Sequence, residues 1–178
     1  AALGLGTAEP TRTLPRPRRS GAITQLAATT LNVKGTSTLK ADNGLVGTSN
    51  VKYGITLANT TDRLVGAVTA VGANISLYDA TALTAALTST AAVSLSSAGP
   101  LRVSGTIGTN LKTLTTGTSS STTTFGNTTV KGTLTVTSPG AVREAAGTEL
   151  LVHGAGTDAT DPVNNYVTVN GVKGKVIQ

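Results

Sequence analysis

Short segments in which apolar and polar residues alternate follow one another along most of the chain after residue 22. Alternation with a period of two is typical of β-strands, because successive side chains on a strand point to opposite faces. Residues 30–34, 51–57 and 133–137 show this pattern. Residues 64–71 are more continuously apolar, which favours a strand buried on both faces. The pattern predicts strands at all four places.

Further strands are predicted at residues 101–103, 129–131, 149–153 and 166–169. Glycine, asparagine, aspartate or serine separates most of the segments, and these residues favour turns. The sequence therefore predicts an all-β fold. Its short antiparallel strands would form either a sandwich or an intertwined oligomeric β-structure.

Residues 79–93 allow two interpretations. The segment is rich in alanine, Leu83 and Leu87 are spaced as i and i+4, and Asp79 stands where a helix N-cap would lie. These features indicate a short helix near 79–93. The threonines of the segment oppose it, because branching at Cβ restricts χ1 and lowers helix propensity. The polar run at residues 118–124 is expected to form a loop or a sheet edge.

A short phrase of valine, a polar residue, glycine and threonine recurs at residues 33–36, 103–106 and 130–133, with a weaker copy at 172–174. The intervals between the copies are unequal, so the phrase does not predict a regular solenoid. It indicates strand–turn units that share the same turn chemistry.

The composition predicts a thin core. Aromatic residues make up 2% of the 178 residues, and tryptophan, methionine and cysteine are absent. Because large aromatic side chains usually dominate core burial, the core must be built from aliphatic residues. We expect neighbouring subunits to supply the missing burial, which makes the protein a homo-oligomer. The alternative is a small aliphatic sandwich that is stable alone.

Residues 1–21 are predicted to form an extended basic arm. Prolines among the arginines favour extended backbone over helix. The candidate partner-binding residues are Arg12, Arg16, Arg18 and Arg19. Arginine binds carboxylates and phosphates through paired hydrogen bonds. Docking on an acidic protein surface, binding of nucleic acid and a solvated linker are the three interpretations. Nucleic acid is disfavoured because the arm has no aromatic residue for base stacking.

The chain carries few groups for catalysis. His153 is the one histidine, and no Gly-x-Ser-x-Gly motif accompanies it, so it is interpreted as a structural residue at a strand end. Asp158 and Asp161 are close together in the sequence, but their spacing is not that of a calcium loop. A turn before Pro162 is the favoured interpretation. Without cysteine there is no thiolate metal site. We therefore predict no enzyme activity, no cofactor and no metal site.

No stretch reaches the roughly 18 consecutive apolar residues of a membrane-spanning helix, so no membrane span is predicted. The predicted domains are the arm at 1–21 and a β-rich structural domain at 22–178. A subdivision of that domain near residues 95–100 is also considered.

Residues 31–39 and 128–136 resemble the strands of bacteriophage fibre and virion-appendage proteins, which are rich in threonine, glycine and valine. Similar phrases occur in bacterial surface adhesins. The resemblance covers about a third of the chain. It implies a symmetric β-structure on a virion, with a trimer favoured and the N-terminal arm as the anchor.

The leading functional hypothesis is a virion structural protein: a fibre, head-decoration or cement subunit with the arm docked on the particle. The alternative is a secreted bacterial adhesin or pilus-like subunit, located outside the cell or on its surface. A nucleic-acid-packaging coat protein is a weaker third hypothesis.

Overall fold

The computed structural model describes residues 21–43 and 50–153, together with the backbone of two short strands at 166–169 and 172–175. All regular structure in this part of the chain is β-structure, and it contains no helix long and apolar enough to cross a membrane. The strands are β1 Ile23–Thr24, β2 Asn32–Val33, β3 Ser37–Lys40, β4 Ile55–Leu57, β5 Arg63–Leu64, β6 Val68–Gly72, β7 Ile75–Asp79, β8 Leu83–Ser89, β9 Val93–Ser97, β10 Leu101–Ile107, β11 Leu111–Thr115, β12 Thr123–Val130, β13 Leu134–Thr137, β14 Val142–Glu144, β15 Leu150–Val152, β16 Tyr166–Val169 and β17 Val172–Lys175.

The chain winds between two sheets of parallel strands and forms a β-solenoid. An eight-stranded sheet has the order β1-β4-β7-β9-β11-β13-β16-β17. A seven-stranded sheet has the order β14-β12-β10-β8-β6-β3, with β15 also paired to β12. The strands β2 and β5 form a small third sheet. The prediction of a mainly β fold is confirmed.

The prediction of short antiparallel strands in a sandwich is wrong. Apart from an isolated bridge, the one antiparallel pair among the described residues is β16 with β17. Alternation reports which face a side chain occupies, and it does not report which strand lies alongside. Here the chain crosses to the other sheet before it returns, so each strand pairs with its equivalent one coil later.

The central coils are regular. Val93 pairs with Ile75 and lies 18 residues after it, and Leu111 pairs with Val93 at the same interval. The seven-stranded sheet repeats this spacing between Leu83 and Leu101. The expectation that the sequence holds no regular solenoid is therefore wrong. The coils on either side are longer, and Leu134 pairs with Leu111 after 23 residues, which hides the period from a search for identical phrases.

The valine–glycine–threonine phrase occupies unlike places in the coils. Residues 33–36 and 130–133 lie where the chain turns between strands. Residues 103–106 lie inside β10, where the pairing with β12 shifts register between Val103 and Gly105. Two copies therefore match the strand–turn prediction and the third marks a β-bulge.

The core is a stack of aliphatic columns between the two sheets. One column runs Ile55, Ile75, Val93, Leu111 and Leu134, each directly above the last and at most 2% exposed. The facing column contains the single phenylalanine, Phe125, which is also buried. This stacking closes an apolar core within one chain.

The helix considered near residues 79–93 is absent. Residues 83–89 form β8, with Leu83, Ala85, Leu87 and Ser89 buried and the three residues between them exposed. An interval of four residues fits both a helix of period 3.6 and a strand of period two, so the spacing of Leu83 and Leu87 does not distinguish a helix from a strand. The threonines do, because Thr84 and Thr88 take exposed strand positions that suit a β-branched side chain.

A column of polar side chains continues the core at one corner. Asp79 pairs with Ser97 in register, and Ser97 with Thr115, and all three are buried. Asp79 accepts hydrogen bonds from the backbone of Leu64 and Thr81. The hydroxyl of Ser97 donates to Thr81 and that of Thr115 to Ser138. These bonds satisfy buried groups where the chain leaves the eight-stranded sheet.

Candidate binding groove

The arginines predicted to bind a partner, Arg12, Arg16, Arg18 and Arg19, lie outside the described residues, as do Asp158 and Asp161. The basic arm and the aspartate turn stay predictions. His153 lies directly after β15 and is half-buried, and its backbone N–H donates to the carbonyl of Val130 at 2.9 Å. This position agrees with a histidine at the end of a strand.

The buried carboxylates of the described region bind backbone. Asp62 accepts from the N–H of Leu31 at 2.8 Å and from the side chain of Gln25 at 2.6 Å. Asp79 makes the corresponding bond to Leu64 one coil later. Among the described residues, no three histidine, cysteine, aspartate or glutamate side chains come together as metal ligands. The two aspartates hold adjacent coils together.

A groove with a volume of about 460 Å³ lies on the outer face of the eight-stranded sheet. Equivalent positions on five successive strands, β4, β7, β9, β11 and β13, line it. The groove therefore runs across the strands, along the solenoid axis. We call it the axial groove. Its lining residues that project polar side chains are Thr56, Asn74, Ser76, Ser94, Asn110, Lys112, Thr133 and Thr135.

One row of outward side chains follows the axial groove. Thr56, Ser76, Ser94, Lys112 and Thr135 are partners in register on neighbouring strands. Adjacent strands in a sheet lie about 4.8 Å apart, so the row presents a polar group at about that interval. The row exists because every second residue of each strand faces outward while its neighbours fill the aliphatic columns.

Asparagines form one rim of the axial groove. Asn74 Oδ1 accepts from the backbone N–H of Ala92 at 3.2 Å, and Asn110 Oδ1 accepts from that of Thr133 at 2.9 Å. Each asparagine thus ties the start of its strand to the start of the next. A further example on the other sheet is Asn127, which accepts from the N–H of Glu149 at 3.1 Å.

The surface around these coils is basic. Between residues 50 and 143 the only carboxylates are Asp62 and Asp79, and both are fully buried. The exposed cations of this stretch are Arg63, Arg102, Lys112, Lys131 and Arg143, and the exposed Glu144 follows directly after Arg143. Lys112 is the one that lines the axial groove. A second, smaller depression of about 150 Å³ lies on the seven-stranded sheet beside Arg102.

A family model described as repeats of unknown function (DUF5649) matches residues 1–71. The matched range includes β1 to β5, most of β6 and the predicted basic arm. Neither the curated proteins nor the solved structures contain a match to the chain. The match covers less than half of the chain, and the description of the family names no activity.

The axial groove was not predicted from the sequence. A signal was present, because Ser76, Ser94 and Lys112 follow one another at intervals of 18 residues, as do Ile75, Val93 and Leu111. A search for identical phrases cannot detect this period, because equivalent positions in successive coils share polarity but not residue type. Once the coil length is known, the outward row can be read from the sequence.

Proposed function

We propose that this chain is a segment of an elongated, non-enzymatic surface protein of the adhesin type, in which stacked coils form a rod. The observation that carries the proposal is the in-register stacking of β4, β7, β9, β11 and β13. Each coil contacts mainly the coils before and after it, so such a structure grows in one direction as coils are added. An elongated body presents binding surfaces at a distance from its point of attachment.

The repeat-family match over residues 1–71 supports this proposal, since a repeat architecture is how a long rod is encoded. The composition of the outer faces supports it as well. Threonine, serine and asparagine dominate the exposed strand positions. Such residues keep a long sheet surface hydrated without exposing a large apolar patch.

The second candidate is a virion structural protein, a fibre, head-decoration or cement subunit, with the arm at 1–21 docked on the particle. The phrases that resemble virion appendages lie in β2–β3 and β12–β13. We rank it second because the aliphatic columns close within one chain, which removes the main reason for an intertwined trimer. Self-association remains part of both proposals.

Location distinguishes the two candidates. Antibodies against the chain should label intact cells of the source organism, and external proteinase K should remove the label while a cytosolic marker survives. Labelling that appears only after lysis would overturn the adhesin proposal. If the chain instead copurifies with virions in a density gradient, the second candidate replaces the first. The native mass in solution, compared with 17.6 kDa, tests self-association.

A further inference from the structure

The axial groove has the dimensions of a site for a linear polymer. It crosses five strands, which at a strand spacing of about 4.8 Å corresponds to about 19 Å along the solenoid axis. The same positions recur on each strand, so a polymer lying in the groove meets similar groups at every step. The strand spacing of about 4.8 Å is close to the length of one sugar unit in an extended polysaccharide.

The rim asparagines of the axial groove are bonded to the protein, but the outward row differs from them. The hydroxyls of Thr56, Ser76, Ser94 and Thr135 make no hydrogen bond to any other described residue, and the ammonium of Lys112 makes no ion pair there. The buried hydroxyls of Ser97 and Thr115, on the same strands, do bond to the protein. The donors and acceptors of this row are therefore available to solvent or to a ligand.

The positive charge of Lys112 favours a ligand that carries a negative charge. Lys112 is exposed, and its outward neighbours in register are Ser94 and Thr135, which carry no charge. Since the carboxylates of residues 50–143 are both buried, no nearby acid on these strands compensates it. A carboxylate or sulfate would gain a charge-assisted hydrogen bond from this ammonium.

From these observations we propose that the axial groove binds a linear acidic polysaccharide along the solenoid axis. The sugar hydroxyls bond to the row from Thr56 to Thr135, and one acidic substituent pairs with Lys112. The proposal goes beyond the proposed function, because it applies equally to a rod on a cell and to a rod on a virion.

Other polymers fit the axial groove less well. A peptide strand binds a sheet by adding to its edge, whereas the groove lies on a sheet face whose backbone groups already bond to neighbouring strands. Nucleic acid needs several cations along its backbone and aromatic side chains for stacking. The groove offers one cation, Lys112, and no aromatic residue.

The test uses immobilised alginate and chondroitin sulfate as acidic probes, dextran as the neutral probe and the whole chain in solution. The wild-type chain should bind at least one acidic probe and bind dextran more weakly. Lys112→Gln should weaken binding about ten-fold, since it removes one charge-assisted hydrogen bond. Lys131→Gln is the matched control, because Lys131 is exposed and lies in the turn after β12, outside the groove.

A second pair of variants tests the shape of the axial groove. Ser94→Tyr places a large ring in the middle of the row and should abolish binding to the acidic probe. Thr106→Tyr adds the same ring to an exposed position on the seven-stranded sheet and should leave binding unchanged. Far-UV circular dichroism and thermal melting check that all four variants are folded.

Three results would overturn the proposal. The first is that neither acidic probe binds the wild-type chain. The second is that Lys112→Gln and Lys131→Gln weaken binding equally, which would indicate attraction to overall charge. The third is that a single-stranded DNA oligomer displaces the acidic probe at equal charge concentration, which would favour nucleic acid. Surface labelling of source cells is a separate measurement, so failure here leaves the proposed function standing.

Discussion

The carboxylate of Asp79 accepts a hydrogen bond from the backbone N–H of Leu64, one coil earlier, across 2.7 Å. Its other oxygen accepts from the N–H and the hydroxyl of Thr81 at 2.6 and 2.7 Å. The aspartate is fully buried, and its acceptors take the place of solvent for these donors. One side chain therefore joins two coils at the corner of the solenoid.

Asp79→Ala should lower the free energy of unfolding by about 2–4 kcal/mol, because it leaves the buried N–H of Leu64 without an acceptor and removes both bonds from Thr81. Asp79→Asn retains one oxygen and should fall between the alanine variant and wild type. Urea unfolding followed by far-UV circular dichroism measures both. Thr84→Ala, at an exposed position, is the control. Equal midpoints for wild type and Asp79→Ala would show that the bond contributes nothing.

The threonines Thr113 and Thr115 on β11 should respond oppositely to the same substitution. Both are buried, but Thr113 lies between Leu95 and Val136 and its Oγ1 has no hydrogen-bond partner. Thr113→Val removes an unsatisfied hydroxyl and should stabilise the fold by about 1 kcal/mol. Thr115→Val breaks the 2.9 Å bond to Ser138 and should destabilise it by about 1 kcal/mol.

Thermal melting of these two variants, each compared with wild type, provides the measurement. The expected shifts of the melting temperature have opposite signs. A decrease of similar size in both variants would mean that size and shape at these positions matter more than the hydroxyl bonds.

Three glycines should differ in their tolerance of alanine. Gly105 has φ of +113°, and an added Cβ would collide with the backbone of Leu87 on the neighbouring strand. Gly147 has φ of +73° with open space around it, and Gly35 has open space without a positive φ. Gly105→Ala should therefore destabilise by more than about 2 kcal/mol, Gly147→Ala by about 1 kcal/mol, and Gly35→Ala hardly at all. Urea midpoints that fail to follow this order would contradict the assigned strain.

Hydrogen exchange should show a gradient along the solenoid. The central strand β9 bonds to β7 on one side and β11 on the other, whereas β1 and β3 each bond to one described strand. Amides of β9 should exchange more than about ten-fold more slowly than those of β1 and β3, since the coils at an end open first. Mass spectrometry of peptides from timed exchange measures this difference. Uniform protection would indicate that the chain unfolds as a single unit.

Much of the β-structure was predictable from alternation. The strand at residues 166–169 and those at 133–137 and 149–153 lie where the sequence placed them, to within a residue or two. The strands β7, β8, β9 and β11 are among those that were not predicted, and β7 to β9 overlap the segment for which a short helix was considered. Their direction was not predictable, because the pairing partner lies a whole coil away.

The axial groove was less accessible to sequence reasoning than the strands. Ser76 and Ser94 are ordinary surface residues of a strand when each is considered alone. Only the register that places Lys112 beside Ser94 makes them part of one surface. The arginines at residues 12–19 could be recognised from the sequence alone, because they lie close together along the chain. The groove residues lie far apart in the sequence and come together only through the pairing of strands.

The unequal lengths of the coils have a practical consequence. Leu111 and Leu134 remain paired although five more residues separate them than separate Val93 and Leu111, and the additional length includes the turn at residues 116–122. A peptide of foreign sequence inserted at this turn should therefore leave the stack intact. The chain could thus serve as a display scaffold, with an epitope or an affinity tag projecting from the side of a rigid stem.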